Sequence, residues 1–174
     1  MVSTWFERSY RASGLVASVF LGLWIVSHSA MANEVRFVAN GKAYHFDRET
    51  PYNEKNWGAG INVLFDEGKP VQKFVTFNTF KDSRNHTANM IGGGIQRRFQ
   101  FEALEIKGRV DAGLTAFVMS HESYRDGAPF LGVLPFISVG TEALAINFVY
   151  IPKFKSNTSP LLFMQFMFRF NSRY

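Results

Sequence analysis

The sequence predicts an all-β fold, an eight-stranded antiparallel transmembrane β-barrel of the bacterial outer membrane. Three observations lead there. Apolar residues alternate with a period of two over segments of about ten residues, with turn residues between them. The N-terminus has the pattern of an export signal, and no segment after residue 32 is apolar enough to be a membrane helix. Aromatic residues are abundant, with 19 Phe among 174 residues.

In the export signal, Arg8 and Arg11 precede the apolar run "GLVASVFLGLWIV", and "SHSAMA" follows, ending in Ala30-Met31-Ala32. A positive start, a short apolar run and small residues at the exit describe a secretory signal peptide. The run is shorter than the ~18 residues of a spanning helix. Cleavage is expected near Ala32, leaving residues 33–174 as the barrel. The chain has no cysteine, which excludes a lipoprotein anchor and any disulfide. Loss of Glu7, Arg8 and Arg11 lowers the net charge from +5 to +4. A basic surface suits an anionic lipid leaflet. Nucleic acid is not an expected partner of an exported protein.

Eight strands are predicted, near 35–46, 57–66, 71–80, 90–101, 104–120, 129–139, 143–151 and 161–170. The first contains Asn40-Gly41, a pair able to turn a tight hairpin. One interrupted strand is the better reading, because glycine also marks a bulge at a barrel opening. The third is "VQKFVTFNTF". In the fourth, parity turns Gly92, Gly94, Gln96, Arg98 and Gln100 inward and Ile91, Ile95, Phe99 and Phe101 toward lipid. The fifth is the clearest, with Ile106, Val110, Leu114 and Val118 on one parity and Lys107, Arg109 and Asp111 on the other. The sixth and seventh hold Pro135 and end at Pro152. The eighth presents Leu162, Met164, Phe166, Phe168 and Phe170 on one face. Its other face mixes Phe163, Gln165, Met167 and Arg169, which implies a partly apolar lumen. "DEGKP" and "GTEA" are short turns, whereas "DRETPYNEK", "KDSRNHTAN", "HESYRDGA" and "KFKSNTS" are longer and polar. That alternation puts "KDSRNH" on the external side. An eight-stranded lumen is filled by side chains or holds one small ligand.

"KDSRNH" is where chemistry is expected. Asp, Ser and Asn are ordinary turn residues, so the plain reading is a solvated turn. Acyl transfer from an ester to a hydroxyl needs a base to take the acceptor proton, or a nucleophile activated by one. Histidine suits the base, an acid can fix its tautomer, and a serine can act as nucleophile or oxyanion donor. Of the histidines, His45 ends the first strand, His28 leaves with the signal, and His86 reads as a loop residue. His121 with Ser123 in "SHES" is a His-x-Ser pair similar to that of small lipid A deacylase barrels, giving acyl hydrolysis as an alternative. A third possibility is a small barrel without enzymatic activity. No cofactor is expected. Metal binding lacks its ligands, with no cysteine and no histidine pair at ligand spacing.

Five ordered motifs carry a resemblance: "YNEKNWGAG", "FKDS", "GVLPFISVG", "VYIPKF" and the closing "MFRF". The chain resembles the lipid A palmitoyltransferases, the PagP family, over roughly residues 43 to 170. The resemblance implies an eight-stranded outer-membrane barrel, acting as a monomer, that moves a palmitoyl chain from a phospholipid donor to lipid A. It implies a catalytic set of His45, Asp82 and Ser83 at the external rim. It places Gly94 at the floor of an acyl-chain pocket. It makes Pro135 and Pro152 the flanks of a lateral opening for the lipid, consistent with proline having no N–H for strand pairing. Asn40 and Asn56 stand where the family has prolines on the opposite side.

Overall fold

A computed structural model describes residues 34–47, 51–66, 68–103, 105–122, 127–153 and 159–170. The expected signal peptide, residues 1–32, and Ser123 lie outside the described residues. Eight strands follow in order: β1 (Glu34–His45), β2 (Lys55–Phe65), β3 (Val71–Lys81), β4 (Thr87–Ala103), β5 (Ile106–His121), β6 (Phe130–Gly140), β7 (Leu144–Ile151) and β8 (Leu161–Phe170). Each pairs antiparallel with its neighbours, and β1 pairs with β8, closing the barrel. Closure removes the unpaired edge that a bilayer cannot tolerate.

Asn40-Gly41 does not make a hairpin. β1 runs through it with a bulge, as pairing with β2 steps from Asn40↔Gly58 to Lys42↔Lys55. Pairing with β8 shifts at the same place. β4 starts at Thr87, earlier than the sequence indicates, because the β3–β4 ladder continues to Lys81↔Thr87. The connections at 46–54, 82–86, 122–129 and 152–160 share one end of the barrel, and those at 66–70, 104–105 and 141–143, which are shorter on average, share the other.

The outer face is mostly apolar and the lumen holds a buried charge cluster, the reverse of a water-soluble barrel, with Lys73 and Arg97 outward near the short-turn end. On β4, Ile95, Phe99 and Phe101 are exposed while Gln96 is buried; on β5, Leu114 and Val118 are exposed while Asp111 and Phe117 are buried.

The lumen has three zones. At the short-turn end, Arg36, Arg98 and Arg109 converge on Glu34 and Asp111. Arg98 bonds Asp111 through two nitrogens, at 2.8 and 3.2 Å. Arg36 pairs with Glu34, and Arg109 with Asp111. Above them Phe74 and Phe136 pack edge to face at 5.6 Å with Leu64, and Val149 lies against the cluster. On one side of the middle zone runs a line of amides. Asn147 donates to Gln165 at 2.7 Å, Gln165 to Asn40 at 2.6 Å, Asn40 to Asn78 at 3.3 Å, and Asn78 to Thr76 at 2.8 Å. The line crosses β2 at Gly60, where a Cβ would strike the Asn78 side chain. The opposite wall, from β4 to β6, is built of glycines with aromatic rings laid on them. The Phe117 ring covers Gly132 and the Phe136 ring covers Gly113, while Gly92 sits against the backbone of Ala116 and Phe117.

Candidate active site

The candidate site lies at the long-loop end, on the turn between β3 and β4. Asp82 holds this turn together. Its N–H donates to the His86 carbonyl at 2.8 Å, and its carbonyl accepts from Asn85 N–H at 3.0 Å. Asn85 has φ +66°, a left-handed conformation in which asparagine is enriched. The carboxylate oxygen Oδ1 accepts the backbone N–H of both Arg84 and His86, each at 2.8 Å. This capping extends the ladder to Thr87 and shortens the loop. Asp82 is a turn residue, as the plain reading of the sequence has it, but its second oxygen is used elsewhere. Oδ2 lies 3.1 Å from Nδ1 of His121, the last residue of β5.

Ser83 follows on the same turn, with its Oγ 2.9 Å from Nε2 of His45. His45 ends β1 and is 2% exposed. Its ring stacks flat on Tyr52, with centroids 4.2 Å apart and planes at 9°. Asn53 ties this segment to the turn. Its N–H donates to the Ser83 carbonyl at 2.8 Å and its side-chain amide to the Asp82 carbonyl at 3.1 Å. The segments "YNE" and "KDS", well separated in sequence, thus form one unit around His45. Among the described residues, no hydrogen bond reaches Nδ1 of His45. The His45–Ser83 contact suits an imidazole that takes a proton from an oxygen or gives one to it.

Sequence reasoning brought together His45, Asp82 and Ser83, and it set His121 apart with Ser123. The structure adds His121 to the group through Asp82, along with Tyr52 and Asn53. The only sequence signal for His121 was its place at the end of a strand that finishes on the same side as "KDS". Tyr52 and Asn53 were legible only as part of a motif. Among the described residues, no group of three His, Cys, Asp or Glu is arranged to hold a metal.

The wall beside the site is interrupted. β6 and β7 pair only from Phe136↔Val149 to Gly140↔Ala145. Above that point, Phe130 to Pro135 have their ladder with β5 alone, and Tyr150 and Ile151 theirs with β8 alone. Pro135 stands where the ladder stops, and Pro152 directly follows β7. On the opposite side, the irregular stretch of β1 is stitched by Asn56, which accepts from Ala43 N–H at 3.1 Å and donates to the Lys81 carbonyl at 2.6 Å. Gly94 is in register with Phe74, and a Cβ on it would meet Phe74 Cζ at 2.7 Å, so it faces the lumen. Its neighbour Ile95 is 54% exposed on the outer face.

The sequence matches the family described as antimicrobial peptide resistance and lipid A acylation protein PagP over residues 25–167. A lipid A acyltransferase PagP from Bordetella pertussis (strain Tohama I) is 30% identical over 126 residues, covering 72% of this chain and 66% of that protein. One from Musicola paradisiaca is 27% identical over 118 residues, covering 68% of this chain and 61% of its own length. The chain thus spans just under two thirds of the length of these relatives. Among solved structures, the N-terminal barrel domain of Pseudomonas aeruginosa OprF aligns with a TM-score of 0.43 at 14% identity, covering 80% of this chain and 98% of that one. A closed barrel with an apolar outer face belongs in the outer membrane, and the match over most of the sequence makes this chain a member of the PagP family.

Proposed function

We propose that the chain transfers a palmitoyl group from a phospholipid to lipid A, with His45, Asp82 and Ser83 as its catalytic set. The observation that carries this reading is the contact between His45 Nε2 and Ser83 Oγ at the rim of a barrel of this family. In the transfer, the acceptor hydroxyl oxygen bonds to the acyl carbon and the donor ester C–O bond breaks. The hydroxyl proton passes to His45 and then to the departing lysophospholipid oxygen. Ser83 serves either as an intermediate nucleophile or as a donor to the developing oxyanion. The donor reaches the rim through the gap between β6 and β7, flanked by Pro135 and Pro152. The rim, the gap and the lumen all come from one chain, which supports a monomer as the unit of function.

The purified barrel in mixed micelles with lipid A and a palmitoyl phospholipid is expected to add one palmitoyl mass to lipid A in mass spectrometry. Unchanged lipid A across several detergents would sink the reading. Free fatty acid without acylated lipid A would point to hydrolysis through His121 and Ser123.

Acyl-chain preference gives a second test. A chain in the lumen gains about 0.8 kcal/mol per buried CH₂. Gly94 lets the Phe74 ring lie against the β4 backbone, beside the Phe74–Phe136 pair. A Cβ at Gly94 would meet the Leu114 carbonyl of β5 before the Phe74 ring. Gly94→Met must therefore displace the β4–β5 backbone locally as well as push the ring into the space above, because a packed interior has no slack to absorb it. Heat-modifiable gel mobility checks that the variant still folds. The preferred donor should become shorter by several carbons in competition among phospholipids of graded chain length. Ile95→Gly should leave the preference unchanged, since Ile95 lies outside. The reverse outcome would move the floor off this parity.

A further inference from the structure

We propose that His121 is a positioning residue for the acyl transfer, acting through Asp82 to fix Ser83 against His45. The inference rests on the reading of the site given above. Asp82 is shared between two tasks. Its Oδ1 gathers the turn by accepting from Arg84 and His86, and its Oδ2 faces His121 Nδ1 at 3.1 Å. A carboxylate bound only through Oδ1 keeps a rotational freedom that a donor on Oδ2 removes. Ser83 is the next residue, so the direction of its Oγ depends on how firmly this turn is held.

His121 is well placed for that task. It pairs with Ala88 across β4, which anchors its backbone to the strand leaving the turn. Phe130 holds its ring edge-on at 5.7 Å and 76°. Phe130 in turn packs edge-on against Phe117, 6.4 Å away. Phe130 is also the first residue of β6, on the border of the gap between β6 and β7. His121 therefore joins the Asp82–Ser83 turn to the edge of the wall opening. Held from both sides, Ser83 meets His45 Nε2 at 2.9 Å without a search. A misplacement of about 1 Å in such a group costs roughly 10²-fold in rate.

The test compares two substitutions in the full barrel. His121→Phe keeps a ring against Phe130 and removes the nitrogen that faces Asp82 Oδ2. His121→Asn keeps a donor close to the position of Nδ1. The expected result is a kcat lower by roughly 10- to 100-fold in His121→Phe, a donor KM within about twofold of the parent, and recovery of most of kcat in His121→Asn. Heat-modifiable gel mobility should be unchanged in both. Parental kcat in His121→Phe would overturn the proposal. So would a His121→Asn variant as slow as His121→Phe, because His121 would then be moving a proton itself. If the parent barrel transfers no acyl chain, the functional reading fails separately. The positioning is then decided by hydrogen exchange at the amides of Arg84 and His86. Faster exchange in His121→Phe upholds it, and unchanged exchange overturns it.

Discussion

Replacing His45 by alanine should reduce acyl transfer by about 10²- to 10⁴-fold, the span a positioned acid or base contributes. The imidazole is buried, with one face covered by Tyr52 and its Nε2 committed to Ser83. Alanine leaves the acceptor hydroxyl with no group to take its proton. It should not unfold the barrel, because β1 stays laddered to β2 and β8 when the His45 contacts to Ser83 and Tyr52 are lost. Ser83→Ala separates the two roles open to the serine. Loss to background marks a nucleophile, whereas a fall of about 10²- to 10³-fold marks an oxyanion donor. The measurement is the rate of palmitate incorporation into lipid A, with heat-modifiable gel mobility as the check on folding. An active His45→Ala barrel would remove His45 from the site and the proposed proton route with it.

Asp111→Ala should give the largest loss of stability in the chain. Asp111 is fully buried and receives Arg98 at 2.8 and 3.2 Å, Arg36 at 3.9 Å, and Arg109. Removing it leaves Glu34 as the one buried carboxylate beside three guanidinium groups among the described residues. Breaking a buried ionic cluster by deleting one partner costs about 3–5 kcal/mol, because the remaining charges keep their desolvation penalty without compensation. The unfolding midpoint in denaturant, followed in lipid vesicles, should fall accordingly. Asp111→Asn should fall less, since one oxygen can still accept from Arg98. A midpoint unchanged by Asp111→Ala would mean that water reaches the cluster and screens it.

Much of this fold was legible because a strand carries its orientation in its parity. The alternation from Ile106 to Val118 fixed which face of β5 meets lipid, and the same rule turned Ile95 out and Gly94 in. Asn40-Gly41 was legible as a bulge because a glycine inside a strand marks one at a barrel opening. The start of β4 was not, because it depends on a carboxylate capping a turn, a side-chain bond that no periodicity records. The contact between Asp82 and His121 joins residues far apart in sequence, and only barrel closure decides which strand ends meet. The ring of Phe74 over Gly94 belongs to the same class. Sequence shows an inward glycine, but packing shows what takes up the space.

The line of amides from Asn147 to Thr76 has a consequence for the membrane itself. A hollow cylinder through a bilayer is a potential leak. In this one, the line of amides narrows the bore from one side, and each amide is engaged with the next and so is not free to replace an ion's hydration shell. The buried charged cluster below, Arg36, Arg98 and Arg109 with Glu34 and Asp111, fills the bore at the short-turn end. Reconstituted in a planar bilayer, the barrel should carry no measurable current. A cell can therefore keep such a cylinder in its envelope without surrendering the permeability barrier that the envelope exists to provide.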